Sequence, residues 1–200
     1  MTAPLDGKRI AIMATDGFEQ SELEKPLEAL RQAGAVVEVV SPKAGEIQGF
    51  EHLSPSRKIA VDRTLGEADA GDYDALVLPG GVANPDQLRI NDQALAFVRG
   101  FSDAGKPIGA ICHAPWILIN AGLARGRTLT SWPTLRLDLK NAGANVLDQE
   151  VVVDRGLVTS RKPADLPAFC ARIIEEFAGA GREGRDRWED QPGQGLGAGA

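Results

Sequence analysis

GKPIGAICHAPWILINAG, residues 105–122, decides how this chain folds. Pro107 to Ile111 is a short apolar run, the pattern of a strand covered on both faces. His113 to Ala121 follows with apolar residues at helical spacing and stops at Gly122, a residue suited to ending a helix. Cys112 stands where strand hands over to helix. A strand that feeds a helix directly is half of a βαβ unit, and the chain on either side supplies more of them. Lys8 to Met13 reads as a first strand. Phe18 to Ala33 carries Leu23, Leu27 and Leu30 on one helical face, Gly34 stops it, and Val36 to Val40 begins a second strand. Ala75 to Leu78 is a buried strand ending in Pro79-Gly80-Gly81, and a long amphipathic segment from Asp86 to about Ala104 leads back to the quoted stretch.

Ser41 to Leu65 is short-period and turn-rich, a hairpin with a small strand near Lys58 to Val61. Beyond Gly122 the pattern gives a strand at Thr128 to Thr130, a helix from about Thr134 to Ala142, and a pair Glu150 to Val153 and Leu157 to Ser160 around the turn Asp154-Arg155-Gly156. A last helix runs from about Pro163 to Ala178. Residues 1–178 thus read as one α/β domain, a mostly parallel sheet with helices on both faces. Residues 179–200 form a tail whose Gly and charge content is that of a segment unable to build a core, so any order in it would come from a neighbouring molecule.

Two hundred residues with 43% hydrophobic and 25% charged content suit a single domain with a sizeable core. A net charge of -6 repels nucleic acid and anionic membrane surfaces, so neither is expected as a partner. No apolar stretch is long enough to span a bilayer, and MTAPLDGKRI lacks a signal peptide's apolar centre, which places the expected location in the cytoplasm. Two cysteines (Cys112, Cys170) and two histidines (His52, His113) are too few for a disulfide framework or a zinc site, so no metal is expected. An imidazole base, if one is needed, must be His52 or His113.

The unusual residues gather after strand ends, where an open parallel sheet places its ligand crevice. Cys112 lies in a nucleophile-elbow context, and a helix N-terminus would lower a thiol pKa; a small buried hydrophobe at a strand end fits the spacing equally well. Cys170 falls with Ile173, Ile174 and Phe177 on the core face of the last helix and reads as structural. Glu22 borders the apolar stripe of its helix, which would part-bury its carboxyl and let it hold a proton toward a thiolate. The plainer reading is that Glu19, Glu22 and Glu24 complement the positive end of that helix. Gly80-Gly81 offers backbone N–H groups to an oxyanion, as does His113, although any sharp turn can use Gly-Gly. Asp86 is either a carboxylate for His113 or a helix-start acid. Ser131-Trp132 and Arg161 follow two later strands at the same edge, and His52, in a polar turn, reads as exposed and inert.

Taken together, GFEQSELEKPLEAL, LVLPGG, GKPIGAICHAPWILINAG, TSWP, DLKNAG and EVVVDRGLVTSRKPADLPAF resemble the PfpI superfamily, which includes the PfpI-type intracellular proteases and the parkinsonism-associated protein deglycase. The resemblance runs from about Lys8 to Ala178. It implies a flavodoxin-like three-layer sandwich and a homodimer, with hexamer assembly left open between members, and the hydrolase it points to needs no cofactor. It also implies Cys112 as nucleophile, Glu22 as its acidic partner, and Gly81 and His113 as oxyanion amides; Gly80, Glu19, Trp132 and Arg161, which follow strand ends at the same edge, are the expected pocket residues around them. In the PfpI-type branch the histidine is oriented by an acid from a neighbouring subunit, and Asp86 matches that position. Trp132 replaces the Tyr that PfpI-type members often carry in the TSxP motif, removing a hydroxyl and filling more of the pocket.

Three functions follow as expectations. The first is a stress-protective cysteine hydrolase acting on a small electrophile or a peptide, such as a glyoxal- or methylglyoxal-damaged molecule. The second is a redox-sensing or chaperone-like stress protein that works by oxidation of Cys112. A glutamine-amidotransferase-like domain fits less well, since no histidine follows His113 in the chain.

Overall fold

The computed structural model describes residues 2–179. In chain order the elements are β1 (Arg9–Met13), β2 (Phe18–Glu19), α1 (Gln20–Gln32), β3 (Val36–Ser41), β4 (Glu46–Glu51), β5 (Ser54–Ala60), β6 (Arg63–Thr64) and β7 (Ala75–Leu78). Then follow α2 (Ala83–Leu88), α3 (Asp92–Asp103), β8 (Ile108–Ile111), α4 (Pro115–Ala121), β9 (Thr128–Leu129), α5 (Arg136–Asn141), β10 (Asn145–Val146), β11 (Val151–Asp154), β12 (Leu157–Ser160) and α6 (Leu166–Gly179).

The main sheet has the order β11-β12-β8-β7-β1-β3-β6, parallel throughout except for the antiparallel edge strand β11. Its five long parallel strands run β3-β1-β7-β8-β12, the doubly wound order of flavodoxin-like sheets, which is the sandwich the sequence resemblance implies. β7 and β8 are buried at every position, as strands covered on both faces must be. Alternation sorts their side chains and those of β1 into two cores. Ile10, Ile12 and Val77 pack with Leu23 and Leu30 of α1 and Phe169 and Ile173 of α6, while Ala11, Met13, Leu76 and Leu78 pack with Phe101 of α3 and Leu118 of α4. The tail after Gly179 lies outside the described residues.

Two boundaries depart from the sequence reading. The amphipathic run from Asp86 to Ala104 is broken: α2 begins at Ala83 and ends at Leu88, and Asn91 turns extended and caps α3 by accepting a 3.0 Å hydrogen bond from the Ala94 N–H. The helix after Cys112 starts at Pro115, not His113, because Cys112 itself is in the left-handed region at φ 63°. β4 and β5 form the expected hairpin, and β2 pairs with β4, which folds that hairpin over the end of β1.

β1, β7, β8 and β12 lie side by side in register, Ile12 against Val77, Leu78 against Ala110 and Ile111 against Ser160. Their carboxyl ends therefore open onto one edge. The segments beyond Met13, Leu78, Ile111 and Ser160 meet there, next to the topological switch between β1 and β7 where such sheets bind ligands.

Candidate active site

Cys112 has almost no conformational latitude. Its N–H donates to the Ser160 carbonyl (3.1 Å) and its carbonyl accepts from the Trp132 N–H (2.9 Å), so neighbouring segments hold the left-handed backbone from both sides. A β-carbon carrier at such an angle costs on the order of 1–3 kcal/mol, and it persists only where surroundings over-determine it. The result aims the side chain out of the sheet toward the loops after β1 and β7 rather than along the strand.

Glu22 meets it there. The carboxyl is 0% exposed, deeper than the edge position its spacing suggested, because the first turn of α1 is roofed by the Pro79-Gly80-Gly81 turn. Oε2 accepts a 2.9 Å hydrogen bond from the Gly80 N–H, the carboxyl interacts with the Cys112 thiol, and Oε1 is buried without a hydrogen-bond partner. Glycine is required at both roof positions. A Cβ on Gly80 would lie 2.5 Å from Glu22 Oε2 and 2.6 Å from Cys112 Cβ, and Gly81, at φ 77°, would drive one into the Gly17 carbonyl. Asn84, also 0% exposed, pins this turn: its amide donates to the Pro79 and Gly80 carbonyls at 2.9 and 3.0 Å, and its oxygen accepts from the Thr15 N–H at 2.7 Å. Sequence reasoning passed over Asn84, and its place in a helix start gave no signal of this role.

Burial moves the titrations. Glu22 is pushed up to about 8, first by desolvation and then by the charge of Glu19, against its contacts with Cys112 and the Gly80 and Gly81 amides. The Cys112 thiol is also raised, by desolvation first and then by Glu22, although the His113 and Gly81 N–H groups oppose this. The lowered thiol pKa expected from a helix N-terminus is thus corrected: Cys112 is only 5% exposed and α4 begins three residues later. Thiol and carboxyl titrate as one unit, and the first proton they release belongs to the pair. His113 Nδ1 lies 3.2 Å from Cys112 Sγ, and burial depresses the imidazole to about 4, so it is neutral at pH 7. Its ring stacks on Trp132 with centroids 5.6 Å apart and leans on Trp116.

These groups form the floor and one wall of a cavity of about 290 Å³ lined by Glu19, Glu22, Gly81, Cys112, His113 and Trp132, with a lip of His52, Leu53, Val82, Thr134 and Pro163. His52, expected to be inert, is therefore part of the mouth: it occupies the β4–β5 turn at φ 56°, and its N–H donates to Glu19 Oε2 (3.0 Å). Leu53, 90% exposed beside it, was also missed, because only the tertiary fold brings this hairpin to the sheet edge.

Three other residues stand elsewhere. Arg161 is not in the cavity wall; its guanidinium is held by both oxygens of Asp165 (2.8 and 3.1 Å) and by Asp148 (2.8 Å), which itself pairs with Arg136. Asp86 projects from α2 with its side chain 66% exposed, paired loosely with Arg89 at 3.9 Å, and makes no contact with His113 of its own chain. Cys170 is half-buried, not on the core face: α6 turns Leu166, Phe169, Ile173 and Phe177 inward, leaving the thiol in a groove against Lys25 and Ala29 of α1, with burial raising it to about 11. Among the described residues no three of His, Cys, Asp and Glu are grouped so as to hold a metal ion, and no helix is long and apolar enough to cross a membrane.

Residues 8–176 match the model of the DJ-1/PfpI family. Protein/nucleic acid deglycase 2 of Escherichia coli K12 is 44% identical over 163 residues, which cover 81% of this chain and 93% of that protein. General stress protein 18 of Bacillus subtilis is 42% identical over 165 residues, 82% of this chain and 94% of that one. Among solved structures, DJ-1beta of Drosophila melanogaster superposes with a TM-score of 0.79 at 31% identity, covering 86% of this chain and 91% of its own.

Proposed function

From the premise that the chain belongs to the DJ-1/PfpI family, we propose that it is a cofactor-independent cysteine hydrolase that releases glyoxal- or methylglyoxal-derived groups, or cleaves peptides, in the course of stress protection. The observation that carries this reading is the proton-holding Glu22 in contact with Cys112 at the bottom of a cavity, under two backbone amides. A buried sulfur gains little charge alone. Once its proton leaves, however, the Glu22 carboxyl can donate to it, and the His113 and Gly81 N–H groups face it, so the thiolate forms inside a prepared shell.

Attack then makes a C–S bond as the carbonyl π pair moves onto oxygen, where an amide N–H receives it. The neutral His113 imidazole, its Nδ1 3.2 Å from Sγ, takes the thiol proton as the sulfur attacks, and the imidazolium so formed returns that proton to the leaving group as the tetrahedral adduct collapses. In peptide cleavage water attacks the remaining thioester carbon and the thiol is restored. In a methylglyoxal adduct the carbinol carbon loses its amine or thiol as the sulfur bonds to it. The enzyme hemithioacetal then isomerises to a lactoyl thioester as its carbinol hydrogen moves to the adjacent carbonyl carbon, and water releases lactate. Asp86, exposed on α2, is proposed to orient His113 of a neighbouring subunit, so the working form is a homodimer or larger assembly. Replacing Cys112 by Ala is expected to abolish both the release of arginine or cysteine from methylglyoxal adducts and peptide cleavage; an undiminished rate refutes the hydrolase.

A second reading has its own support. The same carboxyl and amides that face the thiolate would hold the oxygens of a sulfinate, making Cys112 a redox sensor. Addition of two oxygens to Cys112 under mild peroxide in a protein without turnover would favour it.

A further inference from the structure

The cavity has an unbalanced electrostatic lining. Among the described residues its lining contains Glu19 and Glu22 and no Lys or Arg. Glu22, at about 8, is protonated and neutral at pH 7, and His113, at about 4, is deprotonated and neutral. That leaves Glu19, half-buried at the start of α1, as the wall's standing charge. Three arginines of the surrounding segments are committed to other carboxylates: Arg161 to Asp165 and Asp148, Arg136 to Asp148, and Arg57 to Glu24. Glu19 is also held in place, because its Oε2 accepts from the His52 N–H at the mouth, and Trp132 adds an aromatic face that favours cations. The chain's net charge of -6 extends the same sign of field outward.

We propose that Glu19 makes the Cys112 cavity charge-selective, admitting neutral and cationic electrophiles and turning away anionic ones. This rests on the reading of Cys112 as a reactive thiol and adds to it which groups reach that thiol. An adduct on an arginine or lysine side chain would be accepted, whereas a free α-keto carboxylate, or an adduct next to a phosphate, would find no cation to bind it. Glu19 acts as a specificity residue: it touches the incoming group electrostatically and moves no proton.

The test uses three methanethiosulfonates: a small neutral one (methyl) that reports access to the sulfur, and a cationic (trimethylammonium-ethyl) and an anionic (sulfonato-ethyl) one of similar size that report charge. With each, the Cys112 sulfur attacks the sulfenyl sulfur, a disulfide forms as the S–SO2 bond breaks, and methanesulfinate departs with the electron pair. Rates at Cys112 are read by peptide-resolved mass spectrometry at pH 7 and low salt. The cation-to-anion ratio is divided by that of free cysteine, which cancels the thiolate fraction and each reagent's intrinsic reactivity. The expected ratio is roughly tenfold or more in favour of the cation, falling toward threefold or less in Glu19→Gln, retained in Glu19→Asp, and compressed by about 0.5 M salt. A normalised ratio near one in the unmodified protein overturns the proposal without needing any variant, as does a ratio that Glu19→Gln leaves unchanged. Failure of the neutral reagent to reach Cys112 at all would instead overturn the hydrolase reading on which the proposal stands.

Discussion

Glu22→Gln should remove a pH dependence built into the fold. In the unfolded chain the Glu22 carboxyl titrates near its ordinary value of 4.5, whereas in the folded chain, buried beside Cys112, it holds its proton to about 8. Between those values the native state binds one proton more than the unfolded state, so native stability falls as pH rises, by at most about 1.4 kcal/mol per pH unit. Below pH 4.5 both states are protonated and nothing is lost; above 8 the loss is complete. From pH 5 to pH 8 the difference integrates to about 3 kcal/mol, a large share of the roughly 5–15 kcal/mol that stabilises a typical domain. Gln cannot ionise and keeps an oxygen for the Gly80 N–H. The variant is therefore expected to gain stability relative to the unmodified protein by about 3 kcal/mol over that interval, while its hydrolytic activity drops. Urea unfolding of both proteins at pH 5, 6, 7 and 8 measures the difference directly, and taking the difference cancels every group whose titration they share. A flat difference would show that Glu22 ionises in the fold as it does in the unfolded chain, and the proton-holding role would be gone.

Gly80→Ala should destabilise the protein by about 1–3 kcal/mol and silence Cys112 toward alkylation, since the added methyl overlaps two buried groups that cannot withdraw; a variant of normal stability and reactivity would show that the turn relaxes. Asp86→Asn should leave stability within about 0.5 kcal/mol, its 3.9 Å pair with Arg89 being exposed, yet lower kcat about tenfold or more in the assembled protein. Unmodified protein diluted to monomer should lose activity in parallel, and an Asp86→Asn enzyme with full kcat would remove the neighbouring carboxylate from the mechanism.

Much of the fold was legible because the signals that specify it are local. The period-2 and period-3.6 patterns, the Gly stops and the Asp154-Arg155-Gly156 turn depend on residues a few positions apart, and they place the longer strands and most helices to within a few residues, whereas the two-residue strands β2, β6 and β10 are too short to show a period. The long run from Asp86 misled because one amphipathic stripe passes through both α2 and α3, and only the extended backbone of Asn91 separates them. Cys112 was legible for the same local reason: a thiol between a buried strand and a helix must lie at the sheet's carboxyl edge.

What surrounds that thiol was settled by segments far apart in the chain. Glu22 and Gly80 are 58 positions from one another and Asn84 and Thr15 are 69, yet each pair is joined by a buried hydrogen bond. The raised Glu22 titration agrees with its place beside the α1 apolar stripe, but the raised Cys112 titration follows from desolvation in the packed interior, which the strand-to-helix spacing does not encode. Arg161 was assigned to the pocket because it follows β12, and it is excluded because Asp148 and Asp165 reach it first. His52 and Leu53 went the other way, carried to the mouth by a hairpin whose pairing with β2 is a tertiary event. Sequence alone thus determined most of the elements, their order along the chain and the place of the sulfur between strand and helix, since these obey short-range sterics and periodicity, while the flavodoxin-like arrangement entered through the family resemblance. The charge, depth and selectivity of the cavity were decided only when the sheet brought distant residues together and removed the water between them.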